Sequence, residues 1–365
     1  MKISKNSFRA FSRVTPGLVL LILALQFPAS ATGTPVWTCP EDPTLPPSFA
    51  FQGEYVGETA GGERLACQVI ALGADTFHAV LYPGGLPGDG WDGENRSLMQ
   101  GRLEGEQAVF QPAEGNRQYL AAEPERFSAT RQFPPQGHEP YQAVSDGQTM
   151  TGESGDGVSF TLKKVVRKCT SLGAESPEGA IVLFDGTNKE AWRGGRLDEE
   201  TGWLNTDGRD IRSVESFQDF DLHVEFMLPF RPDARGQGRG NSGVYFADHY
   251  EVQVLDSFGS EGLHNECGGV YTKADPDVNM CLPPLTWQTY EAEFTNAVRD
   301  EEGNKVSNAV LTLKMNGVLV HDQVEIDSPT GGHRSDPEGT PGPLKLQGHG
   351  NPLQYRNIWI VPRND

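Results

Sequence analysis

Apolar and polar residues alternate at every second position along most of the chain, and the 3.6-residue period of an amphipathic helix is sustained nowhere. Between residues 51 and 166, short runs of this kind (54–58, 66–71, 76–82, 107–111, 149–153 and 158–165) are punctuated by Gly84-Gly85, Pro87-Gly88-Asp89-Gly90 and Asp146-Gly147, which read as turns. They predict a small antiparallel β-domain over residues 36–169. Residues 171–177 read as a linker. A second region, residues 178–365, carries runs at 180–184, 222–228, 242–247, 250–255, 290–295, 310–315, 318–323, 344–349 and 355–361. Asn316-Gly317, between two of these runs, is a two-residue hairpin signal. With no βαβ rhythm, the pattern predicts an all-β fold whose C-terminal part is an antiparallel β-sandwich or jelly roll.

The N-terminus departs from this pattern. Lys2, Lys5, Arg9 and Arg13 precede an apolar stretch at 18–27, and Ala29-Ser30-Ala31 follows as a small-residue cleavage site. Residues 1–31 therefore read as a signal peptide cut near Ala31, with an apolar run too short for a membrane span. The expected location is secreted or periplasmic. Losing the four cations takes the formal charge from −20 to −24. Such a surface offers no cationic patch to displace counterions from phosphate, so a nucleic-acid partner is not expected. The 43 Gly and 26 Pro fit turn-rich β structure instead. Export also allows disulfides: Cys267 and Cys281 flank one loop and are the expected pair, with Cys39–Cys67 a weaker choice. Buried free thiols are the alternative for all five cysteines.

Strand alternation also sorts polar side chains into faces. Glu251 and Gln253 share one face of their run, opposite Val252 and Val254; Lys345, Gln347 and His349 share another, opposite Leu344 and Leu346. Asp221, His223 and Glu225 repeat the pattern, with Arg239 and Asn241 on a glycine-flanked segment and Arg356 near the end. Solvated outer faces would explain any one of these strands. Several strands together, rich in amide, carboxylate and imidazole groups, point to a carbohydrate groove, where hydroxyls need fixed donors and acceptors and an aromatic ring supplies a platform. Trp203, Trp287, Tyr245 and Tyr271 are the platform candidates. Glu251 and His349 form the plausible acid–base pair.

Six ordered blocks carry a family resemblance. They begin at Ile181-Val-Leu-Phe-Asp-Gly-Thr187, Arg239-Gly-Asn-Ser-Gly-Val-Tyr245, Tyr250-Glu-Val-Gln-Val-Leu-Asp-Ser257, Cys267-Gly-Gly-Val-Tyr271 and Trp287-Gln-Thr-Tyr290. The last spans Gly342-Pro-Leu-Lys-Leu-Gln-Gly-His-Gly350 with Tyr355-Arg-Asn-Ile-Trp359. In these blocks residues 180–362 resemble the 3-keto-disaccharide hydrolase family, whose fold is similar to concanavalin-like sandwiches. The resemblance implies cleavage of glycosides already oxidised at C3. A 3-ketone acidifies the C2 hydrogen, so a base can remove it and expel the C1 substituent; hydration of the enone completes a net hydrolysis.

On that reading His349 or Glu251 carries the proton transfers, Arg239 faces the developing oxyanion, and Asn241, Gln253, Lys345 and Gln347 hold sugar hydroxyls. A divalent metal ion on Glu225, Glu251, His223 and His349 would serve equally as Lewis acid. A retaining glucanase would instead need two close carboxylates, and Gln253 stands where the second would be expected. A non-catalytic, lectin-like module on the same face is the alternative from another class. Asp185-Gly-Thr187 and Asp275-Pro-Asp277 read as turns or, less strongly, calcium loops.

Overall fold

A computed structural model describes residues 35–363; the expected signal peptide lies outside them. Eight antiparallel strands close into a barrel in the order Gly53–Thr59, Ser159–Val165, Thr149–Ser154, Tyr141–Ser145, Gln107–Pro112, Ser97–Glu104, Thr76–Pro83, Arg64–Gly73 and back to the first. Closure removes the exposed edges that an open sheet of this size would leave. Inward-pointing Tyr55, Val69, Phe77, Phe110, Phe160 and Leu162 fill the barrel, so it has a packed centre. Six of these strands match the alternating runs; Ser97–Glu104 and Tyr141–Ser145 carry no such run, because Gly101, Arg102 and a single alternating pair interrupt their pattern.

The rest of the chain forms a sandwich of two antiparallel sheets. The larger runs Arg196–Asp198, Trp203–Asn205, Gln354–Pro362, Phe220–Met227, Trp287–Thr295, Ala309–Met315 and Val318–Ile326, with Ile181–Phe184 also paired to Gln354–Pro362. Asn316 and Gly317 both adopt positive φ (53° and 81°) at the hairpin, the primed-turn geometry that Asn-Gly favours. The smaller sheet runs Trp192–Arg193, Ile211–Ser213, Lys345–Leu346, Ser242–Phe246 and Tyr250–Val254. Leu222, Val224, Phe226 and Phe294 of one sheet meet Val244, Phe246, Val252 and Leu346 of the other, all buried. Each fully buried side chain of this size contributes about 1.5–3 kcal/mol, which fixes which face of every strand points inward. Alternation then sends Tyr245, Glu251, Gln253 and Lys345 to the outer face of the smaller sheet.

Barrel and sandwich share one continuous apolar cluster. Ala66, Ile70, Leu72, Val80 and Tyr82, on the outer face of two barrel strands, join the sandwich residues in it. Those two strands are therefore buried on both faces, which explains their nearly uninterrupted apolar run at 65–72.

All five cysteines are free thiols, so neither expected disulfide is formed. Cys67 points into the barrel core, whereas Cys39 lies beside Glu41. Cys267 and Cys281 are neighbouring buried thiols, and Cys267 contacts the Tyr290 hydroxyl at 3.2 Å. No helix among the described residues is long and apolar enough to cross a membrane.

Candidate active site

Strand register builds a row of four charged or polar side chains across the outer face of the smaller sheet. Arg212 pairs with Lys345, Lys345 with Tyr245, and Tyr245 with Glu251. Side chains directly opposite in neighbouring strands lie about 5 Å apart, so the row is contiguous. The next row begins with Gln347, whose amide N–H bonds the carbonyl of Gly243, and continues through Gly243 to its register partner Gln253. Gly243 has a specific task here. A Cβ at that position would stand 2.3 Å from Glu251 Oε1, so a larger residue there would displace the carboxyl group.

Glu251 is almost completely buried, and burial pushes its carboxyl up to about 7, against the lowering effect of a hydrogen bond from Tyr245 and the charge of Lys345. Its Oε2 lies 2.8 Å from Tyr245 Oη, while Oε1 has no hydrogen-bond partner among the described residues. Tyr245 Oη also sits 2.7 Å from the carbonyl oxygen of Gly331 and accepts a bond from Gln347 Nε2 at 3.1 Å. One phenolic proton cannot serve two acceptors. When it points to Gly331, the Glu251 contact requires a proton on the carboxyl, in agreement with the upward shift. The phenol itself is pushed upward by burial and by the nearby carboxyl, so it stays protonated.

Lys345 anchors the row. Its Nζ pairs with Asp248 Oδ1 at 2.7 Å, donates to the carbonyl of Gly332 at 2.7 Å, and lies 3.5 Å from the Tyr245 ring centroid. Arg212 Nε meets the second Asp248 oxygen at 2.7 Å, and its half-exposed guanidinium keeps Nη1 without a partner among the described residues. Thr330 Oγ1 accepts the Glu251 backbone N–H at 2.9 Å. The loop around Gly331 and Gly332 is thus fastened along the row from Lys345 to Glu251, on the side of the hairpin that carries Asp248.

An amide cluster lies on the other side of the row, around Gln253. Asn241 Nδ2 donates to the backbone carbonyl and to Oε1 of Gln237 (3.0 and 3.1 Å), and Gln253 Nε2 donates to Asn241 Oδ1 at 3.0 Å and to Gln237 Oε1 at 3.3 Å. Gln237 is exposed, and it bonds the carbonyl of Asn265 at 2.7 Å.

Of the residues singled out from sequence, Glu251, Gln253, Asn241, Lys345 and Gln347 are brought together. His349 is not on the strand: regular pairing ends at Leu346, and His349 is exposed beyond Gly348, which sits against the backbone of Arg209. Arg239 is buried elsewhere, its Nε 2.5 Å from Asp256 Oδ2 and its Nη1 bonded to the carbonyl of Ala71 in the barrel. Asp185 accepts both the N–H and the hydroxyl of Thr187, an Asx turn.

The larger sheet accounts for the other expectations. Asp221, His223 and Glu225 lie on its outward face, so Glu225 and His223 do not join Glu251 and His349, and the four-residue metal set is not assembled. No group of three or more His, Cys, Asp or Glu side chains among the described residues converges as metal ligands. Glu225 is fully buried. Burial works to raise it, but bonds from His223, Asn357, the Gly173 N–H and Arg356 hold it at about 2. Trp203 and Trp287 pack edge to face on the same sheet, with Arg356 stacked on Trp287, so they are not a platform for the Glu251 face. Tyr271 lies beside Gly331. Arg212 and Gln237 were missed in the sequence. Arg212 sits on a three-residue strand with too few positions to show alternation, and Gln237 belongs to a 3-10 turn.

Three crystal structures of proteins named "putative glycosyl hydrolase", all from Parabacteroides distasonis ATCC 8503, are similar to this chain. One is 28% identical, with a TM-score of 0.46, covering 52% of this chain and 85% of its own. The second is 16% identical, with a TM-score of 0.38, covering 51% and 95%. The third is 20% identical, with a TM-score of 0.35, covering 50% and 99%. No functionally curated protein matches the chain. Residues 179–361, which include both sheets and every residue of the Arg212–Glu251 row, match the model of the 3-keto-alpha-glucoside-1,2-lyase-like domain. The chain belongs to that family.

Proposed function

We propose that this protein cleaves glycosides oxidised at C3, with Glu251 as the base that removes the C2 proton. The observation that supports this most is the buried Glu251 carboxyl, held near neutrality with one oxygen free. A base working on a weak carbon acid is most effective when its pKa lies near the working pH. The C2–H bond breaks, its proton passes to Glu251 Oε1, and the electron pair forms an enolate whose oxygen carries the new charge. Lys345, whose charge already acts on Glu251, is the cation of the row nearer that carboxyl and the one to offset the new charge. Collapse of the enolate forms the C1–C2 double bond and breaks the C1–O bond. The protonated Glu251 returns its proton to the departing oxygen. Addition of water to the enone gives net hydrolysis; release before addition makes the reaction a lyase step.

In this scheme Tyr245 tunes and orients Glu251, Lys345 and Gln347 hold Tyr245, and Asn241 and Gln253 meet sugar hydroxyls. His349 stands at the rim and is not required. The protein acts outside the cytoplasm, following the signal peptide read at residues 1–31. A lectin-like module on this face would gain nothing from a carboxyl kept nearly neutral by burial, which favours the catalytic reading. The test is product analysis with 3-keto-disaccharides: an enone or its hydrate should appear with the parent protein and be lost with Glu251→Gln.

A further inference from the structure

The barrel carries one long excursion, residues 113–140, between the strands Gln107–Pro112 and Tyr141–Ser145. Connections of this length inside a compact fold are uncommon and usually serve a function. Its short strands Gln118–Tyr119 and Phe127–Ser128 pair in parallel, and Arg117 ties them down by donating to the carbonyl of Phe127 at 2.8 Å and to Gln100 Oε1 at 2.5 Å. From this base two side chains reach the sandwich. Tyr119 Oη donates to Glu266 Oε1, and Arg131 grips Glu261 through its backbone N–H (2.9 Å) and its Nε (2.6 Å). Glu266 is buried, and its second oxygen accepts the N–H groups of Gly262 (2.8 Å) and Leu263 (3.1 Å). The loop at 261–266 is therefore shaped around a carboxyl that the barrel holds.

That loop ends at the amide cluster, because the carbonyl of Asn265 accepts the Gln237 side chain. The turn bearing Gln237 is itself clamped to the barrel on both flanks. Arg235 Nη2 donates to the carbonyl of Leu72 at 2.6 Å, and Arg239 Nη1 to that of Ala71 at 3.1 Å. The barrel thus holds both segments that present Gln237 above Asn241 and Gln253.

The other end of the site indicates what these amides hold. A sugar ring reacting at Glu251 is blocked on the Asp248 side by the loop fastened through Thr330, Gly331 and Gly332. The remainder of the substrate must extend the other way, over Gln253, which lies two strand residues, about 7 Å, beyond Glu251. We infer that Gln237, Asn241 and Gln253 form a subsite for the departing sugar of a 3-keto-disaccharide, and that Tyr119 and Arg131 are positioning residues that set its geometry from the barrel. This inference rests on the catalytic reading of Glu251.

The test compares a 3-keto-disaccharide with the corresponding methyl 3-keto-glycoside, which has no second sugar. In Tyr119→Phe, Arg131→Gln and Gln237→Ala, KM for the disaccharide should rise about fivefold, the scale of one hydrogen bond, with kcat little changed. Both constants for the methyl glycoside should be unaltered in Tyr119→Phe and Arg131→Gln, and Arg131→Lys should recover part of the loss. Equal effects on both substrates, or none on either, would overturn the inference while leaving the catalytic reading intact. If the parent protein turns over neither substrate, the catalytic reading has failed, and disaccharide binding measured by calorimetry carries the test. Unchanged affinity in all three variants would then overturn the subsite as well.

Discussion

Tyr245 and Glu251 stand opposite each other on adjacent strands, with phenol and carboxyl 2.8 Å apart at the end of the row Arg212–Lys345–Tyr245–Glu251. The phenol also contacts the Gly331 carbonyl, so the pair is one proton short whenever Glu251 is ionised and the phenol turns to that carbonyl. This shortage links the protonation of the site to the loop that covers it.

The carboxyl titrates near neutrality, so turnover should rise with pH along an acidic limb with an apparent pKa of about 7. Glu251→Gln should lower kcat by about 10²–10⁴-fold, the usual range for loss of a general base. His349→Ala, by contrast, should stay within about tenfold of the parent, a loss well below that range. Steady-state kinetics across pH on the three proteins checks all of this.

The Tyr245 hydrogen bond lowers the carboxyl, so Tyr245→Phe should move the acidic limb to higher pH. Loss of a simple packing contact would lower the rate without moving the limb. The pH profile of kcat/KM separates the two.

The same carboxyl has a cost in stability. Its folded pKa lies above the unfolded value, so its contribution is most favourable below the unfolded pKa and is lost as pH rises through about 7. Glu251→Gln removes the burdened charge. It should therefore be more stable than the parent above pH 7, by up to about 3 kcal/mol, with the gap narrowing as the solution is acidified. Glu225 has the opposite sign: its folded pKa of about 2 gives stability present near neutrality and lost as pH falls. Denaturant melts at several pH values test both directions.

Gly243→Ala places a methyl group in the space of the Glu251 carboxyl. Overpacking of this kind costs about 1–3 kcal/mol, and here the adjustment must displace the base itself. The variant should remain folded by circular dichroism yet lose most of its turnover.

The alternation that predicts the strands also put Glu251 with Gln253 and Lys345 with Gln347 on shared faces, and these meet in the structure because their strands flank Ser242–Phe246 in one sheet. Alternation alone cannot say which sheet a strand joins. Asp221, His223 and Glu225 show the same pattern but belong to the other sheet, since Phe220–Met227 pairs with Trp287–Thr295 and Gln354–Pro362. His349 was misplaced for a local reason: Gly348 packs against Arg209 and the chain leaves the sheet after Leu346. Closure of the barrel depends on pairing Gly53–Thr59 with Ser159–Val165, residues about a hundred positions apart, and no local pattern records that contact.

Whether the reaction needs the 3-ketone is the central question, and one assay addresses it. Matched 3-keto-disaccharide and unoxidised disaccharide are incubated with the parent protein and with Glu251→Gln, and free sugar and enone products are followed. Cleavage of the keto substrate alone, by the parent protein alone, is expected. Cleavage of the unoxidised disaccharide at a comparable rate, or keto-substrate turnover that survives Glu251→Gln unchanged, would contradict it.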